Sequence, residues 1–463
     1  MKNVRVTTDR CIDFHSVRDI VRCVVRPGMT LEEKAIACWR VIAENLYQYP
    51  WVYDVPQRSH EWHDAIKALN IYGHGLCGSQ ARVLGALWQE VFGYENTRLT
   101  GIRETKPGSW WIDRDPGAFI FSTFQKGFDP RNTQGHTSIE VFYDDYWHHL
   151  DPIVQFYAYT RDGSRIASLE ETIADPSLVT NPSREIVGLM PDGDLSRVFY
   201  ASEPAAWKPG PEYFIVRDTV MDVDLEPGQS ITWFWDKPEG RFYFPSIWRE
   251  RFPQPYFDEG PRHPDEALAK WRHYGNGLFV TRKARLELPA RLHLCLPYTY
   301  VGGSLSYRLS GATGDYYMHC PYSEAGTMRG VLKTGENSLN LDDLVMGDHE
   351  ALMLFNGNGV LEDVEVRLVF QHHFQTRPRL LEGPNLVHLS GEPEGDEQLE
   401  MVWKWTESGG QRRENRRVLS PPADIPVSVG KLGIEPVGNP KYMESLSLSC
   451  QSCNISKMEG ISD

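Results

Sequence analysis

The feature that most constrains the fold of this chain is a change in hydrophobic period a little beyond residue 200. Upstream of it, apolar residues recur at helical steps of three and four: Leu31, Ala35, Cys38 and Ile42, then Cys77, Ala81, Leu84, Trp88 and Val91. From Tyr213 to about Phe374 the step shortens to two, in runs such as Arg285 to Leu288, Leu292 to Leu296 and Val364 to Phe370, broken by Gly and Pro. A helix-period pattern and a strand-period pattern cannot share one regular layer. The spacing therefore predicts a helix-bearing domain followed by an all-β sandwich region. Pro182 and the Gly/Pro-rich run from Pro204 to Pro211 mark the boundary. The expected domains are 1–190 (α+β), 205–374 (β-sandwich) and 380–463, a partial β segment after Pro384 that passes into a flexible Ser/Pro-rich tail from Leu419. A length of 463 residues is itself more than one ordinary core accommodates.

Charge and composition narrow the partners. Sixty-three Asp and Glu against 48 Lys and Arg give a formal net charge of -15, which argues against nucleic acid and anionic membrane as ligands. No run of about 18 apolar residues occurs, so no spanning helix is expected. The first ten residues, which carry Lys2, Arg5, Asp9 and Arg10, lack the apolar centre of a signal peptide. As written, the chain is expected in the cytoplasm, with secretion left open. Eight cysteines over this length do not form a disulfide framework, and the lone CxxC, Cys450 and Cys453, has no second pair.

Metals and cofactors are not expected. His60-Glu61-Trp62-His63 has the wrong spacing for a helical zinc motif, which needs its histidines four apart. His148 and His149 are adjacent in a strand-like run and so point to opposite faces.

Local signals set several elements. Thr30-Leu31-Glu32-Glu33 and Ser168-Leu169-Glu170-Glu171 are capping boxes, each starting a helix. Arg98 to Ile102 reads as a short strand. The segment 103–134, with Trp110, Trp111, Phe119, Phe121, Phe124 and Phe128, is long for a compact domain; it reads either as a lid or wall of a substrate cleft or as an insertion whose rings pack it onto the domain. Trp271 to Gly277 reads as an aromatic plug beside a tight turn.

The chemistry is carried by three residues. Cys77 stands among Gly73, Gly75 and Gly78 where a loop becomes a helix. There the unpaired N–H groups and the positive end of the helix dipole stabilise a thiolate, and the glycines keep side chains away from the sulfur. Further on, two aromatic and β-branched runs flank Asp144-Asp145, the pattern of a tight hairpin. With those two residues as the turn, cross-strand partners have numbers summing to 289. Asp151 then faces Ser138, His136 faces Ile153, and His136 and Asp151 become diagonal neighbours on one face. A one-residue change in the turn would separate them. Thiol, imidazole and carboxylate in the order Cys77, His136, Asp151 make a nucleophile, a general base and acid, and an orienting group.

Gly75-Leu76-Cys77 entering an apolar helix, Gly135-His136 at a strand start, and Trp147-His148-His149-Leu150-Asp151-Pro152 together resemble the transglutaminase-like superfamily. The resemblance covers roughly residues 10–155. It implies a papain-like α+β core in which the nucleophile's helix packs on an antiparallel sheet carrying His and Asp, with Cys77, His136 and Asp151 as the triad. Trp271 to Gly277 resembles a segment of large bacterial proteins that pair such a domain with β domains. Two departures stand out. Gly78 occupies a position where many members carry a large or basic residue, and no acidic cluster matches the calcium sites of the animal enzymes.

The expected function is cysteine-dependent acyl transfer on a peptide, protein or glycan-linked amide through a thioester at Cys77, with water as the favoured acceptor. Protein cross-linking is the enzymatic alternative. A binding module using aromatics near Trp271 or Trp110, with the transglutaminase-like domain as scaffold, is the non-enzymatic one.

Overall fold

The computed structural model describes residues 1–48, 64–75, 77–104, 135–153, 155–185, 202–206, 218–235, 243, 274–311, 313–323, 325–433 and 442–452. The aromatic segment at 105–134, the histidines of 60–63, Trp271 and Cys453 lie outside the described residues. The chain divides into two compact units. One comprises 1–13, 70–72 and 220–463, the other 14–69 and 73–219.

Strand β1 (Lys2–Thr8) belongs to the first of these, the β unit, although it precedes every helix. Its alternation buries Val4, Val6 and Thr8, and it pairs antiparallel with the strand Gly383–Glu392. The N-terminal residues therefore lie with the β strands and not, as expected, with the α+β domain.

In the second unit, helix α1 (Val17–Val24) starts at Ser16, whose side chain accepts from the Asp19 N–H. Helix α2 (Leu31–Asn45) starts at Thr30 with both bonds of the predicted capping box, and Ala35, Cys38 and Ile42 form its buried face. Short strands β2 (Tyr47–Gln48) and β3 (His74–Gly75) pair in parallel. Helix α3 (Cys77–Phe92) follows at once. An antiparallel sheet comes next: β4 (Thr97–Glu104), β5 (Gly135–Tyr143), β6 (Tyr146–His149) and β7 (Ser202–Ala206), in the order β6-β5-β4-β7. Helix α4 (Leu169–Ala174) carries the second predicted capping box, with Ser168 and Glu171.

Helix α3 is the hub of this unit. Ala81, Leu84 and Trp88 of the expected stripe are buried, but so are Val83, Ala86 and Leu87, so the helix is enclosed on most of its circumference. The Trp88 Nε1–H donates to Ala35 O at 3.1 Å and joins α3 to α2. Gly85 lets α3 approach the sheet closely, since a Cβ there would stand 2.9 Å from Ile139 Cδ1.

Among the described residues, every strand pair of the β unit is antiparallel. Eight strands form its largest sheet, edge to edge Gly335–Asn340, Thr299–Ser310, Val360–His373, Tyr274–Glu287, Gln229–Phe234, Met443–Ser452, Glu397–Glu407 and Gln411–Leu419. A four-stranded sheet and the three-stranded sheet that includes β1 accompany it, an arrangement compatible with sandwich packing.

Three sequence expectations change here. Strands from the segments read as 205–374 and 380–463 share one sheet. The tail read as flexible forms strands Ala423–Val429 and Met443–Ser452. The residues read as a tight turn before Gly277 instead begin the 14-residue strand Tyr274–Glu287.

Candidate active site

Cys77 is the first residue of α3, where the sequence places the loop-to-helix junction. Its side chain is partly exposed, whereas Cys38, Cys320 and Cys450 are buried. Burial pushes the thiols of Cys38 and Cys320 up to about 12 and that of Cys450 to about 11, so these three are inert at neutral pH. The glycines near Cys77 have distinct duties. Gly73 adopts the left-handed conformation (φ 63) and caps the preceding π-helical turn, its N–H bonding Ala68 O at 2.9 Å. Gly75 pairs with Gln48, and Gly78 has open space around it, with Arg82 Nη1 3.8 Å from where a Cβ would stand.

The hairpin register is the predicted one. Tyr143 pairs with Tyr146, Phe142 with Trp147, Val141 with His148 and Glu140 with His149, each pair summing to 289. Asp144 (φ 48) and Asp145 (φ 68) both take the left-handed conformation of a type I′ turn, whose twist matches the strands.

The predicted ladder does not extend to Asp151, however. β6 ends at His149, whose N–H bonds Ala167 O at 3.0 Å, and Pro152 has no N–H with which to continue. Instead, Asp151 and Phe156 exchange backbone hydrogen bonds of 2.8 and 3.0 Å. The Asp151 carbonyl accepts from Trp39 Nε1 of α2 at 2.8 Å, and its Oδ1 accepts from the Ile153 N–H at 2.9 Å. The residue is 2% exposed. Asp151 is thus held by α2 and by its own turn, and the pairs with Ser138 and of His136 with Ile153 do not form.

His136 is the second residue of β5 and pairs with Ile102 of β4, so the predicted strand start at Gly135-His136 is present. The two faces of β5 have different coverings. Ile139 meets α3 at Gly85, and Tyr143 stacks on Phe92 with ring centroids 5.8 Å apart. On the other face, Ser138 Oγ and His149 Nε2 are 2.9 Å apart. Position 136 has the parity of Ser138.

His148 and His149 take opposite sides, as expected of neighbours in a strand. His148 stacks on Tyr143 at 3.7 Å, with Nδ1 2.8 Å from Ile166 O and Nε2 3.1 Å from Tyr143 O. Burial lowers its pKa, and the two carbonyls only partly oppose this. Among the described residues, no three His, Cys, Asp or Glu converge as ligands for a metal ion, and no helix is long and apolar enough to cross a membrane.

Sequence reasoning missed Glu140. It is 1% exposed, pairs with Arg98 (Nη2 to Oε2, 2.7 Å), and accepts the Leu169 N–H at 2.8 Å, which anchors the start of α4. The Arg98 guanidinium lies 4.0 Å from the centre of the Trp147 ring. A signal existed, because Arg98 and Glu140 are direct cross-strand partners of opposite charge.

No protein-family profile matches this chain, and no curated protein matches it.

Proposed function

We propose that the second unit is a papain-like, transglutaminase-like core that performs cysteine-dependent acyl transfer on amides. The supporting observation is the placement of Cys77. It is a partly exposed thiol at the first position of a buried helix that packs on the strand beginning Gly135-His136, with the carboxylate of Asp151 fixed just beyond the partner strand. In this reading the Cys77 thiolate attacks the amide carbonyl, and the tetrahedral adduct collapses as His136 gives a proton to the departing amine. A thioester remains. Water, losing its proton to His136, then cleaves it to a carboxylic acid and the free thiol. The Cys77 backbone N–H is the natural first donor to the oxyanion. Asp151 orients the imidazole and supports its positive charge.

Alkylation by iodoacetamide near pH 6, read by mass spectrometry at each cysteine, tests the chemistry. Cys77 should label at least tenfold faster than Cys23 and Cys295, which are exposed thiols without a helix start, and His136→Ala should remove most of that advantage. Equal rates at all three would overturn the reading. Ammonia release from glutamine-containing peptides, with and without an added amine, separates hydrolysis from cross-linking.

A further inference from the structure

Within the helix-bearing unit, α2 is tied by hydrogen bonds both to the helix that starts at Cys77 and to the turn that carries Asp151. The Trp88 indole N–H of α3 donates to Ala35 O at 3.1 Å. The Trp39 Nε1–H of α2 donates to Asp151 O at 2.8 Å, and Gln155 Nε2 donates to Ala43 O at 2.7 Å. Positions 35, 39 and 43 are four residues apart, so the three ties follow one stripe of the helix.

The bond from Trp39 is not needed to satisfy its acceptor. Asp151 O already accepts the Phe156 N–H at 3.0 Å, and Phe156 O accepts the Asp151 N–H at 2.8 Å. A second donor on the same oxygen fixes the peptide in two directions. The carboxylate of the same residue is held by its own turn, with Oδ1 accepting the Ile153 N–H at 2.9 Å. Its orientation is therefore set locally, while its place in the unit is set by α2. The indole is itself fixed: it is 4% exposed and meets Tyr157 edge to face, with ring centroids 5.1 Å apart.

The two ties to the turn differ in their other duties. Ala43 is in the last turn of α2, where carbonyls lack intrahelical partners, so Gln155 also caps the helix. Its left-handed backbone (φ 51) is uncommon for glutamine. Trp39 caps nothing. Apolar packing alone would cover α2 here, whereas a hydrogen bond of fixed length to the backbone of Asp151 specifies a distance.

We infer that Trp39 is a positioning residue for Asp151, and that α2 is the common ruler between the helix that carries Cys77 and the turn that carries the orienting carboxylate. This inference rests on the acyl-transfer reading above. Displacing a group of a reacting constellation by about 1 Å costs on the order of a hundredfold in rate. A displaced carboxylate also supports the imidazolium less well, and a thiolate that loses its neighbouring cation forms only at higher pH.

The test uses the full chain and the pH dependence of Cys77 alkylation. Trp39→Phe keeps an aromatic ring and deletes the N–H. The expected result is a Cys77 rate at pH 6 about tenfold lower, with the pH profile moved to higher pH. Cys38, buried beside Trp39 on α2, should stay unlabelled, which shows that the helix is still packed. Asp151→Asn removes the charge but keeps the backbone carbonyl, so in that background Trp39→Phe should change the rate by less than about twofold. A wild-type rate and pH profile in Trp39→Phe, or an equal fall in both backgrounds, overturns the positioning role alone. If Trp39→Phe does not fold, Gln155→Asn decides by the same two criteria, with an expected fall of about threefold, because asparagine accepts the left-handed backbone but is too short for Ala43 O. Slow labelling of Cys77 in the wild type overturns both this role and the reading beneath it.

Discussion

The two units bury polar groups in different ways. In the helix-bearing unit, the buried polar pairs on β5 are cross-strand neighbours: Glu140 faces Arg98, and Ser138 meets His149 diagonally across the hairpin. In the β unit, the corresponding pairs reach far along the chain, with Asn70 and Arg377 separated by 307 residues and Ile71 and Gln371 by 300. Register places the first kind of pair almost automatically. The second kind forms only when the whole topology is complete, so it reports on the tertiary structure and not on any one element.

The strongest way to break this contrast is to shift the register that creates the local pairs. Inserting one glycine between Asp144 and Asp145 would exchange the faces of His148 and His149 and separate Ser138 from His149. The expected cost is above about 3 kcal/mol in urea unfolding, with loss of the rapid Cys77 alkylation. An insertion variant that unfolds like the wild type would show that the hairpin does not organise its unit.

A second prediction sharpens the β-unit side of the comparison. His372 is fully buried, donates toward Phe234 O at 2.9 Å, and has its pKa lowered to about 3, mainly by burial and then by Arg377. Its folded value lies below its unfolded value, so the unfolded state binds the proton first. The stabilisation is present above about pH 6.5 and is lost as pH falls toward 3. Between pH 6.5 and 4 the loss is on the order of 3 kcal/mol. His372→Gln keeps a donor for Phe234 O and removes the titration, so its stability should vary less with pH over that interval. An identical slope in the variant would assign acid sensitivity to other groups.

The smallest effect concerns the turn itself. Asp145 pays for a left-handed conformation that glycine adopts freely, so Asp145→Gly should stabilise the protein by about 0.5 kcal/mol, read as a rise in Tm. A fall in Tm would mean that the Asp145 side chain has an unrecognised partner.

The contrast also explains which features were legible in the sequence. The starts of α2, α3 and α4 and the four hairpin pairs follow from caps, glycines and a two-residue turn, all local in range. The course of Asp151 does not follow from strand alternation, because the ladder ends at His149 and Asp151 pairs with Phe156 instead. The alternation of Val4, Val6 and Thr8 was visible as a pattern. Its partners Leu389 and Val387, close to 380 residues away, were not. The tail strands were hidden by their polar faces. Ser445, Ser447 and Ser449 alternate with Leu446, Leu448 and Cys450, and Pro426 sits on an edge strand where it is tolerated. Nothing local to Asn70 or Ile71 announces Arg377 or Gln371.

The separation of Asn70 from Arg377 also has a consequence in time. During synthesis at about 5–20 residues per second, the partner of Asn70 emerges roughly 15–60 s after Asn70 itself. Strand β1 waits longer still for Gly383–Glu392. A nascent chain therefore carries Asn70 and β1 for many seconds before it carries the residues they pair with, so these contacts of the β unit close late relative to the segments that begin them.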